Sequence, residues 1–370
     1  MARITIISHY APSLVNFRGE LIKTLAAAGH DITALGPENG FETEIAALGA
    51  KYRQIPLQRT GTNPIKDLGT VLSLVMVLRD LRPDAVLSYA IKPVIYGSLA
   101  ASLAAVPNIY SIITGLGYLF TGESAKQTLL LKLLFPLYKA ALSKNKAVFF
   151  QNPDDLKLFQ SLNLLSQNQR QVIINGSGVD VCRFAYSPAE AEPLSFLLMA
   201  RLISDKGIRE YVEAARGLKK RYPQVSFRLL GPYDSNPTAI DRLDVEKWAS
   251  EGIQYLGETK DVRPYLVNSS VYVLPSYREG TPRSVLEAMS VGRPVVTTDA
   301  PGCRETVQDG INGFLVPVKD AAALGEAMER FIQSPELVRK FGEASRRIAE
   351  DKYDVKRVNK VIMQTIEMDM

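Results

Sequence analysis

Two glutamates spaced eight residues apart form the first candidate site of the chain. Glu279 and Glu287 lie in the segment 275–288, which reads PSYREGTPRSVLEA. The apolar run Val271–Leu274 before it predicts a strand, and residues 283–291 have the pattern of a helix. Glu279 then falls in the loop before the helix, and Glu287 lies roughly two helical turns further on. Carboxylates accept hydrogen bonds from sugar and ribose hydroxyls, so both residues suit carbohydrate recognition.

The start of this helix is also a candidate anion site. The first backbone N–H groups of a helix have no partner within it, and the helix dipole is positive at that end. A diphosphate can bind there. The alternative interpretation is structural: Glu279 would be an acid near the helix N-terminus, and Glu287 a solvated helix position.

The elements that must position these residues alternate along the chain. Short apolar runs separated by helical patterns extend over 3–150 and again over 195–298, which predicts α/β domains with parallel sheets wound on both faces. A turn and a polar, proline-bearing stretch at 175–195 mark the boundary. We expect two doubly wound domains and a C-terminal helix packed back on the first: 1–180, 181–351 and about 352–370. Ligands bind beyond the carboxyl ends of parallel strands, so the functional loops should follow strands.

Composition excludes several classes of site. The chain has 370 residues, of which 46% are hydrophobic and 22% charged, as is usual for soluble globular domains. His9 and His30 are the only histidines, which argues against a histidine-rich metal site or a Ser-His-Asp triad. Cys182 and Cys303 are far apart and have no metal-ligand spacing, and no signal peptide is recognisable, so we expect a cytoplasmic protein. No apolar run reaches the length that spans a bilayer.

The excess positive charge lies in the first half. Residues 1–180 contain 17 Lys and Arg against 12 Asp and Glu, whereas residues 181–370 contain 27 of each sign. Lysines at 126, 132 and 139 accompany dense leucines, which predicts either a buried crossover helix or a helix that inserts at a membrane interface. A basic surface suits anionic lipid or phosphate; a modest excess confined to one domain makes nucleic acid the least favoured partner.

The Glu-x7-Glu frame resembles the signature of glycosyltransferase family 4. Several further segments are similar to the same family's pattern, in the same order: Ala200–Gly207, Leu230–Pro232, Tyr255–Gly257, Gly292–Val296 and Asp309–Gly313. The similarity covers 172–350 and extends more weakly into the N-terminal half. It implies the GT-B fold, with two Rossmann-like domains facing each other across a cleft.

The resemblance implies roles for residues of the C-terminal domain. Arg201 and Lys206 would bind the donor diphosphate, where two fixed cations stabilise the charge of the departing group. With Glu279, which would bind the donor sugar, they form the expected catalytic set. Glu287 would bind the ribose hydroxyls. The expected donor site also includes Gly280, Thr281 and Pro282, whose backbone would lie close to the sugar and the phosphate. The base would be held by the loop with Asp261 and Val262.

No metal or other cofactor is expected. The metal-dependent GT-A enzymes use an Asp-x-Asp motif, and this chain contains none. The two cations at the diphosphate would serve in place of a metal ion.

The N-terminal half departs more from the family's pattern. The loop from His9 to Arg18 lacks the paired glycines of many relatives, and Thr114 stands where relatives often carry a histidine that contacts the donor sugar. His9 would contact the acceptor or a phosphate, or would make a structural hydrogen bond. The segment after Thr114 lacks the third glycine of a dinucleotide-binding fingerprint. The residues expected at the acceptor or in the cleft are His9, Asn16, Arg18, Lys92, Thr114, Gly115 and Gly117.

The function implied by the resemblance is retaining transfer of a sugar from a UDP-sugar, with N-acetylhexosamine as the default sugar. The pattern is most similar to bacterial enzymes that extend undecaprenyl-diphosphate-linked saccharides for surface polysaccharide or glycan synthesis. The acceptor would then lie at the inner leaflet, and the protein would be peripheral at that anionic surface.

Three alternative functions stay open. A UDP-sugar epimerase of the same fold needs acid/base groups beside the sugar, which two histidines hardly supply. A non-catalytic nucleotide-sugar-binding protein could lose the glutamate pair, which this chain keeps. An NAD-dependent oxidoreductase is disfavoured because the Gly-x-Gly-x-x-Gly fingerprint is missing.

Overall fold

The computed structural model describes residues 1–57, 64–116, 125–166, 169–190 and 192–369. They form two compact units, 1–177 with 356–370 and 178–355. The sequence predicts these limits at 180 and 351. In the structure, segments 178–180 and 352–355 belong to the second unit. Two backbone hydrogen bonds join those segments: the Val179 N–H donates to Tyr353 at 2.8 Å, and the Val355 N–H donates to Val179 at 2.9 Å.

The first unit is built on seven strands: β1 Arg3–Ile7, β2 Asp31–Gly36, β3 Ala50–Gln54, β4 Ala85–Tyr89, β5 Asn108–Ile113, β6 Ala147–Phe150 and β7 Arg170–Ile173. They are hydrogen-bonded in the order β3-β2-β1-β4-β5-β6-β7, and neighbouring strands are parallel. β4, β5 and β6 are buried along their whole length. Continuous apolar strands of this kind are typical of a sheet covered by helices on both faces.

The helices of the first unit cover both faces of this sheet: α1 Ala11–Ala27, α2 Glu42–Ala46, α3 Pro64–Leu81, α4 Ile91–Leu103, α5 Ala125–Leu142, α6 Pro153–Ser161 and α13 Val355–Glu367. α3 contacts α4, and α4 contacts α5, so these three helices form one layer. The last helix returns to the first unit, where Val358, Ile362 and Ile366 are buried in a cluster with residues of α1. Beyond its end, the Asp369 carboxylate accepts a hydrogen bond from the Tyr110 hydroxyl at 2.8 Å.

The second unit contains a parallel sheet of six strands: β8 Ser195–Met199, β9 Ser226–Leu230, β10 Ile253–Tyr255, β11 Val271–Leu274, β12 Val295–Thr298 and β13 Gly313–Val316. Their order is β10-β9-β8-β11-β12-β13. Its helices are α7 Ile208–Arg221, α8 Arg242–Ser250, α9 Arg263–Val267, α10 Arg283–Val291, α11 Ala321–Gln333 and α12 Glu336–Lys352. Two parallel, doubly wound sheets confirm the predicted fold class.

Strand order reverses once in each sheet, which decides where a ligand can bind. The first strand of each unit lies between its second and a later one: β1 between β2 and β4, and β8 between β9 and β11. Ligands of open α/β sheets bind beyond the carboxyl ends of the strands at such a switch point. The loops after β1 and β4, and those after β8 and β11, are therefore the places where functional residues are expected.

Candidate functional site

The candidate residues Lys206 and Glu279 meet at the switch point of the second sheet. Lys206 ends a 3-10 turn after β8, and Glu279 lies in the loop after β11. The Lys206 ammonium donates to the Glu279 carboxylate, and the Ser276 hydroxyl donates to the same oxygen at 2.8 Å. The side chains of Lys206 and Glu279 are 19% and 14% exposed, so the ion pair is largely shielded from water.

Two glycines allow these loops to approach so closely. Gly207 has φ +70°, and a Cβ there would lie 2.1 Å from the carbonyl oxygen of Pro275. Gly302 has φ +82°, and a Cβ there would lie 2.2 Å from the carbonyl oxygen of Glu279. A side chain at either position would push against the backbone that carries the carboxylate.

Arg201 lies earlier in the loop after β8 and binds a different carboxylate. Its guanidinium donates to Asp234 at 2.7 Å, and its side chain is 43% exposed. The Asn236 N–H donates to the other oxygen of Asp234 at 2.8 Å, so this carboxylate is itself held in place. A guanidinium has five N–H donors, so the contact with Asp234 leaves donors for an anion.

Helix α10 begins directly after Gly280, Thr281 and Pro282. Pro282 is its N-cap residue, and its side chain makes no capping hydrogen bond. Further along, the Arg283 Nε donates to the Glu287 carboxylate at 3.0 Å, and both side chains are less than one-fifth exposed. Burial raises the pKa of Glu287, and the Arg283 guanidinium opposes that shift. A shielded carboxylate on this helix can accept hydrogen bonds from hydroxyl groups.

Asp261 and Val262 lie directly before α9. The Asp261 carboxylate accepts two hydrogen bonds of 2.8 Å from the Arg263 guanidinium, which lower the pKa of Asp261 to about 2. Both partners are close in sequence and each is 46% exposed. This contact orders the loop locally and does not join Asp261 to Lys206 or Glu279.

Tyr277 ties the loop after β11 to the start of α7. Its N–H donates to the Asp205 carbonyl at 2.9 Å, and its hydroxyl donates to Glu210 at 2.6 Å. The Lys319 ammonium lies 5.1 Å from the centre of its ring. Burial and the Glu210 carboxylate raise the pKa of Tyr277, so the hydroxyl stays a donor. Tyr277 lies in the segment 275–288, two residues before Glu279, but it is not among the candidate residues of the sequence.

The switch point of the first sheet holds a hydrogen-bonded hydroxyl cluster. The Ser13 hydroxyl lies 2.9 Å from that of Ser8 and 2.8 Å from that of Tyr89. Ser8 follows β1 and Tyr89 ends β4, so the cluster bridges the two neighbouring strands. Arg18 is 2% exposed, with its guanidinium 5.0 Å from the centre of the Tyr89 ring. The predicted acceptor residue Arg18 is thus a buried part of α1.

The remaining predicted acceptor residues are dispersed around the same sheet edge. His9 is partly buried before α1, Asn16 is exposed on α1, and Thr114 and Gly115 follow β5. Lys92, near the start of α4, forms an ion pair of 3.2 Å with Asp67 on α3. Gly117 lies outside the described residues.

Neither a metal cluster nor a membrane-spanning helix is found in the described part of the chain. Among those residues, no group of three or more His, Cys, Asp or Glu could hold a metal ion. No described helix is long and apolar enough to cross a bilayer. On α5, Lys139 is exposed and Tyr138 is buried, while the side chains of Lys126 and Lys132 lie outside the described residues.

Several partners of the predicted residues are not among the candidate residues of the sequence. Asp234, Ser276 and Arg283 each hold a predicted charged residue in place. Ser276 stands three residues before Glu279, and Arg283 four before Glu287, so their spacing could have indicated contact. Asp234 is thirty-three positions from Arg201, and only the neighbouring strands β8 and β9 bring the two together.

Both units match known families. Residues 184–348 match the family described as "Glycosyl transferases group 1". Residues 9–152 match the family described as "Glycosyl transferase 4-like". The match over 184–348 contains every candidate residue of the second unit, and the match over 9–152 contains His9, Asn16, Arg18, Lys92, Thr114 and Gly115.

Two characterised relatives are similar over most of their length. One is the N,N'-diacetylbacillosaminyl-diphospho-undecaprenol alpha-1,3-N-acetylgalactosaminyltransferase of Campylobacter jejuni, 28% identical over 348 residues, or 90% of each chain. The other is the UDP-Gal:alpha-D-GlcNAc-diphosphoundecaprenol alpha-1,3-galactosyltransferase of Escherichia coli, 24% identical over 91% of this chain and 89% of that protein.

Solved structures share the fold across the whole chain. Sucrose-phosphate synthase from Thermosynechococcus elongatus superposes with a TM-score of 0.82 at 19% identity, covering 100% of this chain and 99% of its own. Anabaena HepE in complex with UDP and glucose superposes with a TM-score of 0.79 at 17% identity, covering 100% of both chains.

Proposed function

The chain is a glycosyltransferase of the GT-B fold, and on that premise we propose that it moves a sugar from a UDP-sugar to a lipid-linked saccharide. The proposed acceptor is an undecaprenyl-diphosphate-linked saccharide of surface polysaccharide or glycan synthesis. Both relatives named above carry such an acceptor in their names. The proposed donor sugar is an N-acetylhexosamine, as in the name of the Campylobacter relative.

The observation that carries the proposal is the shielded Lys206–Glu279 ion pair at the second switch point. An ammonium has three N–H donors, so Lys206 can hold Glu279 and still donate to a phosphate oxygen. Together with Arg201, it would stabilise the negative charge that accumulates on the departing UDP. The start of α10 would take part in holding the diphosphate.

The two glutamates would bind the sugar and the ribose. Glu279 is oriented by Lys206 and Ser276 and would accept hydrogen bonds from hydroxyls of the donor sugar. Glu287 would accept hydrogen bonds from the ribose hydroxyls, and Asp261 and Val262 would lie near the base.

The proposed stereochemical course is retention by front-face attack. The acceptor hydroxyl would attack the anomeric carbon on the face from which the diphosphate leaves. As the C–O bond to the phosphate breaks and the new glycosidic bond forms, the leaving phosphate oxygen would take the proton of the hydroxyl. Neither a protein general base nor a metal is then required.

Titration calorimetry with UDP, GDP, UDP-N-acetylhexosamines and NAD tests the donor assignment. We expect UDP-selective binding that EDTA does not change, and roughly 10- to 100-fold weaker UDP binding in Arg201→Ala, since a hydrogen bond to a charged group contributes about 1.5–3 kcal/mol. Arg209→Ala is the matched control, because Arg209 also donates to an aspartate, Asp244, at 2.8 Å. Binding of NAD alone would favour the oxidoreductase alternative, and an EDTA-sensitive signal would contradict metal independence.

The proposed location is the inner face of the cytoplasmic membrane. A lipid-linked acceptor is held at the bilayer, and an enzyme that binds its anionic surface meets that acceptor more often. The positive excess of the first half of the chain supports this location.

A further inference from the structure

We propose that the outer face of α3 inserts into the interface of an anionic lipid bilayer. Leu68, Leu72 and Met76 are 60%, 54% and 67% exposed. They follow each other at intervals of four residues, so they lie on one side of the helix over a length of about 12 Å. Exposed large apolar side chains are common singly, but a stripe of three on one helix indicates a surface that binds something apolar.

The same surface continues onto the end of α4. Leu103 is 60% exposed, and its carbonyl oxygen accepts a hydrogen bond of 3.2 Å from the Arg79 guanidinium of α3. The opposite side of α3 is in the core, where Leu74 and Leu78 are fully buried. The exposed residues therefore form a second apolar face of α3, separate from the face that packs in the core. We call Leu68, Leu72, Met76 and Leu103 the α3 stripe.

The charges around the α3 stripe favour an anionic partner. Residues 64–104 contain three carboxylates, and each forms an ion pair with a basic residue: Asp67 with Lys92, Asp80 with Arg53, and Asp84 with Arg3. Arg79 and Arg82, at the end of α3, add positive charge. An amphipathic surface with cations beside apolar side chains is what binds the headgroup region of anionic membranes.

The position of the stripe agrees with the acceptor proposed above, on which this inference rests. Leu68 directly follows Asp67, which binds the candidate acceptor residue Lys92. The stripe thus begins beside a residue that would hold the acceptor diphosphate. Insertion of α3 would bring this edge of the sheet to the depth of the lipid headgroups, where that diphosphate lies.

A bilayer fits the α3 stripe better than a second copy of the chain. A stable dimer buries roughly 800 Å² on each partner, and four partly exposed side chains fall well short of that area. Interfacial insertion needs only a shallow apolar face together with attraction between charges. The α5 helix is the other candidate for membrane contact: among its described side chains, Leu137 is 45% exposed, whereas Tyr138, Ala141 and Leu142 are buried, so they form no exposed apolar stripe.

Vesicle flotation of the full-length protein tests the inference. We expect the native chain to float with vesicles that contain phosphatidylglycerol, and to float less with pure phosphatidylcholine. The double variant Leu72→Glu, Met76→Glu should lower the partition coefficient by about tenfold or more, because two apolar side chains are replaced by carboxylates. The matched control is Leu243→Glu, Ile311→Glu, since these residues of the second unit are 72% and 53% exposed. An unchanged far-UV circular dichroism spectrum and an unchanged Tm exclude unfolding.

Three outcomes would overturn the inference. The native chain could fail to bind either vesicle, or the α3 variant could bind as well as the native chain. A third is that the variant changes only the oligomeric state in light scattering, which would assign the stripe to a second copy. UDP titration of the same variant separates this inference from the proposed function: lost flotation with unchanged UDP binding concerns α3 alone, whereas failure of the native chain to bind UDP concerns the donor site.

Discussion

Each charged side chain of the candidate donor site is held by a partner of opposite charge. Lys206 binds Glu279, Arg201 binds Asp234, and Arg283 binds Glu287. Exposed ion pairs contribute little to stability, and shielded pairs lose much of their attraction to the cost of desolvation, so these contacts matter more for orientation. A side chain already held in one rotamer loses less entropy when a ligand binds.

Replacement of Glu287 by Gln tests its role at the ribose. We expect UDP affinity to fall roughly 10- to 100-fold, because a charged hydrogen-bond acceptor becomes a neutral one. Calorimetry measures this effect, with Glu326→Gln on α11 as a surface control. Unchanged affinity for UDP would remove Glu287 from the ribose site.

The raised pKa of Glu287 gives the same variant a pH signature. In the native chain, UDP binding should weaken as the pH falls through that raised pKa, and the Gln variant should lack this component. The free energy of unfolding has the opposite dependence on pH. Because burial raises the pKa of Glu287 in the folded state, this residue contributes stability below its unfolded-state pKa, and that contribution is lost as the pH rises through the folded-state pKa. In thermal unfolding between about pH 4 and about pH 8, the native chain should therefore lose this contribution to stability as the pH rises. The Gln variant, which has no titratable group at this position, should not show that loss.

Loops and edge strands are the elements that local sequence patterns describe least well. The predicted helix at 283–291 and the strand at 271–274 agree with α10 and β11 residue for residue. In contrast, the patterns do not predict β3, β7 or β13. All three are edge strands. β3 and β7 are only partly buried, so they carry charged residues and lack the continuous apolar run of a central strand.

A glycine-to-alanine change tests how tightly the site loops are packed. Gly302→Ala should lower the free energy of unfolding by about 1–3 kcal/mol, because the new Cβ meets the Glu279 carbonyl and φ is positive. UDP affinity should fall with it, since the loop that carries Glu279 must move. Gly217→Ala on α7 is the control: no atom lies within 4 Å of its Cβ, so it should stabilise the helix by up to about 1 kcal/mol. Equal denaturation midpoints for the two variants would contradict this account.

At the scale of the whole molecule, charge and apolar exposure concentrate in the first unit. The positive excess belongs to the first half of the chain, and the α3 stripe lies in the same unit. The second unit contains the ion pairs of the candidate donor site. This division agrees with one unit that meets a membrane-bound acceptor and another that binds a soluble donor.

Reversal of the lysine charges on α5 tests the contribution of this helix to membrane binding. Changing Lys126, Lys132 and Lys139 together to Glu should release the protein from anionic vesicles, since each basic residue near such a surface contributes about 1 kcal/mol. Co-sedimentation measures the bound fraction. The control reverses three exposed lysines of the second unit: Lys220, Lys247 and Lys340. If native and variant chains sediment alike, α5 does not contact the membrane.

The sequence by itself determined the fold class, the family and the residue types of the candidate donor site. These follow from local information: the period of apolar residues reports strands and helices, and the Glu-x7-Glu frame lies within one strand–loop–helix unit. The domain limits were placed close to those observed for the same reason, because a polar, proline-bearing stretch interrupts the pattern.

Only the tertiary structure decided which residues meet. Lys206 and Glu279 are seventy-three positions apart, and they form an ion pair because β11 lies beside β8 in the sheet. On α3, apolar residues at helical spacing would all be assigned to a core, yet Leu72 and Met76 face outward while Leu74 and Leu78 are buried. A helical period predicts which side chains share one face of a helix. The strand order and the neighbouring helices decide which of those faces packs against the rest of the protein.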